Sequence, residues 1–389
     1  MNKRTFFEFF AGGGMARAGL GDGWQCAFAN DFDPMKGSVY EKNWGGDHLK
    51  IADINEVSAS DLPGVADLIW ASFPCQDLSL AGNAEGLGTA SEQTRSGAFW
   101  ALWRIVEALE SQKRSPSIIV LENVYGILTA KEGREFATVA RCLSLAGYKF
   151  GSILLDSVYF VPQSRPRIFI VGVRSDLTLP AHLVSDRQCT KWHPPAMEQA
   201  INRLNEVDYE NWFWLTPPIP KTDRPKLATL IDSDPVGVRW HVSDETSALI
   251  GMMSDTNIAK LNAMLATGKR EVATLYKRTR RDEFGAKVQR AELRVDGIAG
   301  CLRTPGGGSS RQYVVVTEHG QIRSRLLSPR EAARLMGLPD SYILPPRYND
   351  AYHVAGDGLV VPAVSYLAHH VIEAVLDFND SRGVSIAAE

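Results

Sequence analysis

The chain has 389 residues, of which 44% are hydrophobic and 22% charged, and its formal net charge is −3. These ordinary values exclude a disordered chain, a collagen-like rod and a disulfide-framed peptide. No unbroken run of about 18 apolar residues is present, and no small-residue cleavage site follows the apolar N-terminus. We therefore expect a cytoplasmic protein without membrane contact.

Strand-like apolar runs alternate with helical patterns from residue 4 to about residue 173. The predicted strands are Thr5–Phe10, Trp24–Asn30, Ala66–Ser72, Ser117–Leu121, Gly151–Ser157 and Ile168–Val173. The predicted helices between them are Met15–Leu20, Pro34–Asn43, Gly97–Ser111 and Lys131–Ala146. This alternation predicts an α/β fold built on a doubly wound parallel sheet.

The alternation is lost between about residues 176 and 325, where prolines and tryptophans cluster, which predicts a smaller, irregular domain. A helix is predicted at Leu327–Leu338, with Ser328 and Glu331 as a capping box, and a last helix at Val361–Phe378 that packs on the sheet. The predicted domains are 1–175, 176–325 and 326–389, the last completing the first.

Charge is distributed unevenly along the chain. Residues 269–330 carry 14 Lys and Arg against 6 Asp and Glu, whereas residues 1–150 carry 14 against 18. A local basic excess is typical of a polyanion-binding face, and also of a solvated, salt-bridged surface. Charge alone leaves both interpretations open.

Five cysteines lie far apart along the chain: Cys26, Cys75, Cys142, Cys189 and Cys301. An odd number at such spacing predicts neither a disulfide framework nor a metal site. Cys75 directly follows a predicted strand and Pro74, at the start of a loop rich in Ser, Gly, Asn and Ala. It is either a buried apolar residue or a reactive thiol.

Three strand ends carry residues that suit a nucleoside cofactor. A glycine turn, Phe10–Gly14, follows the first strand and allows a ligand to lie against the backbone, although its spacing is not that of dinucleotide enzymes. Asp31 or Asp33 follows the second strand and could accept bonds from ribose hydroxyls, and Asp53 could meet an adenine amino group. A purely structural turn is the alternative.

Charged side chains mark two further strands. Glu122 follows the strand Ser117–Leu121, as a helix cap or as an acid that bonds a heterocycle nitrogen. Arg165 and Arg167, at alternate positions, are expected on one face of a strand, where they need phosphates, carboxylates or an internal ion-pair network.

Six segments, in this order, resemble the motifs of the DNA (cytosine-5) methyltransferase family. They are FAGGG at 10–14, FPCQ at 73–76, ENV at 122–124, QSRPR at 163–167, RLLSPREAARLMGLPDSY at 325–342 and GDGLVVPAV at 356–364. Only the middle region lacks family motifs, as the family's target recognition domain would. One departure is Asp357, where the family usually has Asn.

The resemblance implies a Rossmann-like methyltransferase domain that binds S-adenosyl-L-methionine. It implies that Cys75 adds to carbon 6 of a flipped-out cytosine, that Glu122 bonds ring nitrogen 3 and the exocyclic amine, and that Arg165 and Arg167 steady the base. The implied cofactor-binding residues are Phe10, Gly12, Gly14, Asp31, Phe32, Asp53, Ile54 and Phe99.

The expected partner is duplex DNA in a specific sequence. From the basic stretch we expect DNA contacts by Arg280, Arg281, Arg303 and Arg311. The alternatives are a tRNA cytosine-5 methyltransferase, whose branch has a shorter middle region, and a catalytically silent DNA-binding relative. We expect a monomer, with a cognate restriction endonuclease acting separately.

Overall fold

The structure, a computed structural model, describes residues 3–74, 97–304 and 311–383. The chain divides into two compact units. The first consists of Met1–Asp156, Pro166–Pro220 and Ala363–Glu389, and the second of Ser157–Arg165 and Lys221–Pro362.

Seven strands form the main sheet of the first unit. They are β1 Arg4–Phe9, β2 Trp24–Asp31, β3 Leu49–Ile51, β4 Leu68–Ala71, β5 Ile118–Asn123, β6 Tyr148–Asp156 and β7 Pro166–Arg174. Their order across the sheet is β3-β2-β1-β4-β5-β7-β6. The first five strands pair in parallel, which confirms the predicted fold class.

The last two strands depart from the parallel prediction. β7 runs antiparallel to both β5 and β6. Only residues 157–165 connect β6 to β7. Because a parallel neighbour needs a crossover of about a dozen residues or more, this shorter connection suits an antiparallel pair.

Among the described residues, six α-helices of the first unit precede its C-terminal segment. They are α1 Met15–Leu20, α2 Pro34–Trp44, α3 Ala98–Ser111, α4 Arg134–Leu145, α5 Pro195–Ile201 and α6 Glu206–Glu210. The apolar sides of α3 and α4, including Leu102 and Leu143, share one buried cluster with Ile69 and Ile119 of the sheet. The strands and helices predicted for this part are confirmed within a few residues.

Residues 176–220 belong to the first unit, beyond the predicted boundary at 175. A short strand pair, β8 Val184–Ser185 and β9 Trp214–Leu215, lies in this segment. Next to it, Phe150 of β6 donates its N–H to Asn211 and accepts a bond from Phe213, so the segment extends the sheet region.

The second unit contains a sheet where an irregular region was predicted. Its strands are β10 Glu271–Arg281, β11 Lys287–Arg294, β12 Gln312–Glu318 and β13 Gln321–Leu326, all antiparallel in the order β11-β10-β12-β13. Its helices are α7 Leu227–Leu230, α8 Ser243–Gly251, α9 Asp255–Ala266, α10 Pro329–Leu335 and α11 Tyr348–Asp357. Leu249 of α8 and Leu261 of α9 share a second core with Leu275 and Leu293.

Helix α10 confirms the predicted capping box. The Ser328 hydroxyl accepts the N–H of Glu331, and the Glu331 carboxylate accepts the N–H of Ser328. The same carboxylate forms an ion pair with Arg325 at 2.6 Å, with both side chains fully buried. This pair ties α10 to β13, so residues 326–362 belong to the second unit and not to the predicted C-terminal domain.

The chain ends with α12 Val361–Leu367, a π-helical turn at Ala368–Ile372 and α13 Glu373–Ser381. These segments confirm the predicted last helix. Its packing on the main sheet is also confirmed, because Asp377 forms an ion pair with Arg4 of β1 at 2.5 Å and Glu373 accepts a bond from Trp24 of β2.

One stretch of the described chain, Tyr348–Ser381, is long and apolar enough to cross a membrane, with a mean hydropathy of 1.6 over an 18-residue window. However, 61% of that window is buried inside the protein, as in a core helix. The stretch is also interrupted between the end of α11 at Asp357 and the start of α12 at Val361. Its length and composition are therefore weak evidence for a membrane span.

Candidate active site

The glycine turn follows β1 and has a left-handed backbone. Phe10, Gly12 and Gly14 have φ values of 58°, 56° and 77°. A Cβ atom at Gly14 would lie 2.4 Å from Nε1 of Trp44, whereas one at Gly12 would meet no atom within 4 Å. Glycine is therefore required at position 14 by the left-handed φ and by the lack of space for a side chain. Gly12 leaves open space on the outer side of the turn.

Asp31, at the end of β2, binds the glycine turn to its neighbouring strand. Its Oδ2 accepts the N–H of Gly12 at 2.8 Å, and its Oδ1 accepts the N–H of Asp33 at 2.9 Å. Burial raises the pKa of Asp31. Asp33 caps α2 by accepting the N–H of Met35, so its carboxylate is already engaged at the helix terminus.

The ends of β2 and β3 bring the next predicted cofactor residues together. Asn30 donates to the carbonyls of Lys50 and Ala52, both at 2.9 Å, which holds the end of β3 against β2. Just beyond, Asp53 is exposed and its Oδ1 accepts the N–H of Asn55, while Ile54 is buried. The ring of Phe32 is 69% exposed, an aromatic surface open to a stacking partner.

Phe99 lies in the core of the first unit. Its side chain is fully buried. The ring stacks on Trp103, with 5.7 Å between the ring centroids, and tilts against Phe73 at a centroid distance of 5.3 Å. The structure thus shows packing for this residue, and its cofactor contact stays a prediction.

A buried polar cluster adjoins the glycine turn. Nε2 of His48 lies 2.5 Å from Nη1 of Arg17 and 3.1 Å from the hydroxyl of Tyr40, which in turn donates to Cys26. Glu8 is 1% exposed, and burial raises its pKa to about 8 despite the opposing charge of Arg17. Sequence reasoning did not single out Glu8, although a charged residue inside an apolar strand was a visible signal.

Glu122 and Arg167 form a largely buried ion pair. Oε1 of Glu122 lies 3.1 Å from Nε of Arg167. Glu122 is directly opposite Phe169 in the β5–β7 register, and Arg167 precedes Phe169 by two residues. Arg167 is therefore the diagonal neighbour of Glu122 on one face of the sheet. The antiparallel β7 brings these two predicted residues together.

Asn123 is a further site residue, which sequence reasoning passed over beside Glu122. It is 2% exposed, and its Nδ2 donates to the carbonyl of Phe73 at 3.2 Å. Its own Oδ1 accepts the N–H of Val124. Asn123 thereby fixes the backbone that leads into Pro74 and Cys75. Cys75 itself lies outside the described residues.

The predicted pairing of Arg165 and Arg167 on one strand face is wrong. β7 begins at Pro166, so Arg165 precedes the strand and belongs to the second unit. Arg165 is 2% exposed, and its guanidinium donates to the carbonyls of Leu302, Gly356 and Gly358 at 2.8–2.9 Å. These bonds make Arg165 a buried clamp between Leu302 and the C-terminal end of α11, both in the second unit.

Asp357 has two local partners. Its Oδ2 lies 2.8 Å from Nε2 of His353, one turn earlier on α11, and its Oδ1 accepts a bond from the Thr304 hydroxyl. Asn could meet the same two groups, by accepting from Thr304 and donating to a neutral His353 ring, so these bonds do not explain the departure from the family pattern.

The four predicted DNA contacts all lie in the second unit, in different settings. Arg280 forms an ion pair with Glu292 at 2.5 Å, and Arg281 donates to the carbonyl of Gly285. Arg303 is exposed, and Arg311 donates to Asn349 at 2.7 Å.

The part of the chain that the structure describes contains no candidate metal-binding site. No group of three or more His, Cys, Asp or Glu residues is placed there to hold an ion. The four described cysteines, Cys26, Cys142, Cys189 and Cys301, are free thiols.

Comparison with known proteins decides the family. A family model described as C-5 cytosine-specific DNA methylase matches residues 4–373. The chain belongs to this family. As a member of the C-5 cytosine-specific DNA methylases it is an enzyme that methylates carbon 5 of cytosine in DNA, and the family implies a methyl-donor cofactor.

Two curated relatives match this methylase over nearly their whole length. The chain is 26% identical to the type II methyltransferase M.HhaI of Haemophilus parahaemolyticus, covering 94% of the chain and 93% of the relative. It is also 26% identical to M.HpaII of Haemophilus parainfluenzae, covering 97% and 92%. The crystal structure of S. pombe Dnmt2 methyltransferase shares the fold, with a TM-score of 0.55, 16% identity and coverage of 97% and 100%.

Proposed function

We propose that this methylase transfers a methyl group from S-adenosyl-L-methionine to a flipped-out cytosine in a specific duplex sequence, through a covalent adduct of Cys75. The observation that carries the proposal is the buried Glu122–Arg167 ion pair at the end of β5. Beside it, Asn123 holds the segment that enters Cys75. The acid Glu122 thus lies next to the residue that bonds Phe73, two positions before Cys75 in the sequence of this C-5 cytosine methylase.

Each of these residues has a separate role in the proposed reaction. Carbon 5 of cytosine is a weak nucleophile, and addition of the Cys75 thiolate to carbon 6 converts the ring into an enamine. Glu122 bonds ring nitrogen 3 and the exocyclic amine, which favours that addition. Arg167 orients the Glu122 carboxylate, and Arg165 acts indirectly by holding the backbone at Leu302 against the C-terminal end of α11. Carbon 5 of the enamine then takes the methyl group, the donor sulfur leaves as a thioether, and loss of the carbon 5 proton to solvent expels the Cys75 thiolate.

The glycine turn and its neighbours fit the cofactor. The room at Gly12 and the exposed ring of Phe32 suit a nucleoside lying against the turn, and Gly14 lets the turn pack closely on Trp44. Asp31 retains lone pairs for ribose hydroxyls, and the Asp53–Ile54 corner suits adenine, with Phe10 and Phe99 completing the predicted set. When bound, S-adenosyl-L-methionine supplies the methyl group as an activated sulfonium.

Target recognition is assigned to the part of the predicted 176–325 domain that lies in the second unit. Four cations there, the exposed Arg280, Arg281 and Arg303 and the half-buried Arg311, contact DNA phosphates and groove edges. The target base leaves the duplex at a cost of a few kcal/mol, which these contacts offset. We further propose a cytoplasmic monomer that protects DNA from a separate cognate restriction endonuclease.

Methyl transfer from radiolabelled S-adenosyl-L-methionine tests the proposal. Duplex DNA and bulk tRNA serve as acceptors, with Cys75→Ala and Cys142→Ala as matched variants. We expect label in duplex DNA, loss of labelling in Cys75→Ala and retention in Cys142→Ala. Labelling of tRNA in place of DNA, or full activity of Cys75→Ala, would overturn it.

A further inference from the structure

The hairpin of β10 and β11 extends beyond the sheet to which it belongs. β12 pairs with β10 only along Glu271–Tyr276, whereas β11 continues alongside β10 to the Arg281–Lys287 pair. Among the described residues the outer part, 277–290, is therefore a ribbon of two strands. At 3.3–3.4 Å per residue, it reaches roughly 15–20 Å beyond the sheet.

The ribbon has a buried root and an exposed outer half. At the root, Leu275 and Leu293 belong to the core with α8 and α9. From residue 278 to residue 290, all but two positions are exposed. A two-stranded ribbon without a buried face is at best marginally stable in water. Burial of apolar side chains thus explains why the root of the ribbon is stable. It does not explain why the outer half projects from the sheet.

The outer ribbon is cationic, and its two faces differ. Its cations are Lys277, Arg278, Arg280, Arg281, Lys287 and Arg290, against Asp282, Glu283 and the nearby Glu292. On one face Arg278 and Arg280 both form ion pairs with Glu292, at 3.3 and 2.5 Å. The opposite face presents the cross-strand pairs Thr279–Gln289 and Arg281–Lys287, all exposed.

The tip of the ribbon holds an aromatic side chain in solvent. Oδ1 of Asp282 accepts the N–H groups of Phe284 and Ala286, at 3.0 and 2.8 Å, and Gly285 takes a left-handed φ of 81°. These bonds fix the turn. Phe284 is nevertheless 86% exposed, so a defined backbone presents a phenyl ring with no packing role in the described chain.

We infer that the ribbon 277–290 enters the DNA major groove and that Phe284 and Gln289 contact base edges there, an inference that rests on target recognition by the second unit. The groove is about 12 Å wide and 8.5 Å deep, and it admits a two-stranded ribbon. Arg281 and Lys287 bind phosphates at the groove's rim. Gln289 suits the paired donor and acceptor of adenine, and Phe284 suits the methyl group of thymine.

Sequence preference is the readout that distinguishes base contacts from general DNA binding. A randomised duplex library is methylated by the unaltered chain and by Phe284→Ala and Gln289→Ala, and bisulfite sequencing gives the preference at each position. Val236→Ala, another exposed apolar residue, and Gln321→Ala, an exposed glutamine on the β12–β13 hairpin, serve as controls. Thermal melting confirms that all variants fold.

We expect Phe284→Ala and Gln289→Ala each to lose roughly 10- to 100-fold of discrimination at one base pair, with the controls unchanged. Arg281→Gln with Lys287→Gln should instead lower the salt dependence of DNA binding by about two phosphate contacts and leave the preference intact. Unchanged preference in both alanine variants would overturn the inference while the proposed function stands. A chain that methylates no duplex would overturn both.

Discussion

Nε of Arg167 lies 3.1 Å from Oε1 of Glu122, and the two side chains are only 16% and 10% exposed. Removing one partner of such a pair leaves a buried charge, at a cost of about 3–5 kcal/mol. The ion pair therefore restrains the Glu122 carboxylate at the end of β5, where the proposed function needs it.

Glu122→Gln tests the role of that carboxylate. The amide keeps the shape of the side chain but removes its charge, so we expect kcat to fall by about 10²- to 10⁴-fold while the dissociation constant for DNA changes little. Single-turnover methylation and fluorescence anisotropy measure the two quantities. Glu135→Gln, a buried acid on α4, is the control, and an unchanged kcat in Glu122→Gln would contradict the assigned role.

A second test asks whether the Asn123 side chain positions the segment that leads into Cys75. Asn123→Ala removes the donor to the Phe73 carbonyl and the acceptor of the Val124 N–H, hydrogen bonds worth about 0.5–1.5 kcal/mol each. We expect a slower methyl-transfer step, by roughly tenfold, with cofactor affinity unchanged. Equal rates for the variant and the unaltered chain would show that these bonds do not position the segment.

Two glycines of the turn give a matched pair. Gly14→Ala places a Cβ 2.4 Å from Trp44 Nε1, whereas Gly12→Ala meets no atom within 4 Å. Both also carry the left-handed φ penalty of about 1–2 kcal/mol. We expect Gly14→Ala to lower the melting temperature more, and Gly12→Ala to weaken cofactor binding with a stability loss limited to the φ penalty. Calorimetric titration with S-adenosyl-L-methionine separates the two effects, and equal stability losses would contradict the packing at Gly14.

The pKa of Glu8 predicts a pH dependence of stability. Burial raises this pKa from 4.5 to about 8, so between these values the folded protein binds the proton more tightly than the unfolded chain. Unfolding then releases a proton, and the free energy of unfolding falls as pH rises across this range, by at most about 1.4 kcal/mol per pH unit.

Urea unfolding at several pH values checks this slope. Glu8→Gln should flatten it and make the protein more stable at pH 8, while the exposed control Glu41→Gln should retain it. A Glu8→Gln variant with the unaltered slope would show that another group is responsible.

Much of the first unit was predictable because local rules and tertiary structure agree there. The strands are apolar runs bounded by turns, and Asp31 and Glu122 both stand at the carboxyl ends of their strands, as expected. The capping box of Ser328 and Glu331 is a local interaction, so it could be identified from spacing alone.

Two features of the second unit, the ribbon and the position of Arg165, were not predicted correctly, and each has a physical reason. The ribbon was missed because exposed cations on both faces of β10 leave no alternation of apolar residues to detect. Arg165 was placed on a strand because its spacing from Arg167 fits period two, but Pro166 starts β7 and Arg165 turns toward carbonyls from residues 302–358. Such long-range partners are invisible in a local pattern.

The central claim is that the Cys75 sulfur bonds to carbon 6 of the target cytosine. It is tested most directly with a duplex that carries 5-fluorocytosine at the methylated position, because fluorine at carbon 5 prevents release of the thiol. Incubation with S-adenosyl-L-methionine followed by peptide mass spectrometry should locate one DNA adduct on Cys75, absent from Cys75→Ala. An adduct on another cysteine such as Cys301, or none from an active preparation, would contradict the account.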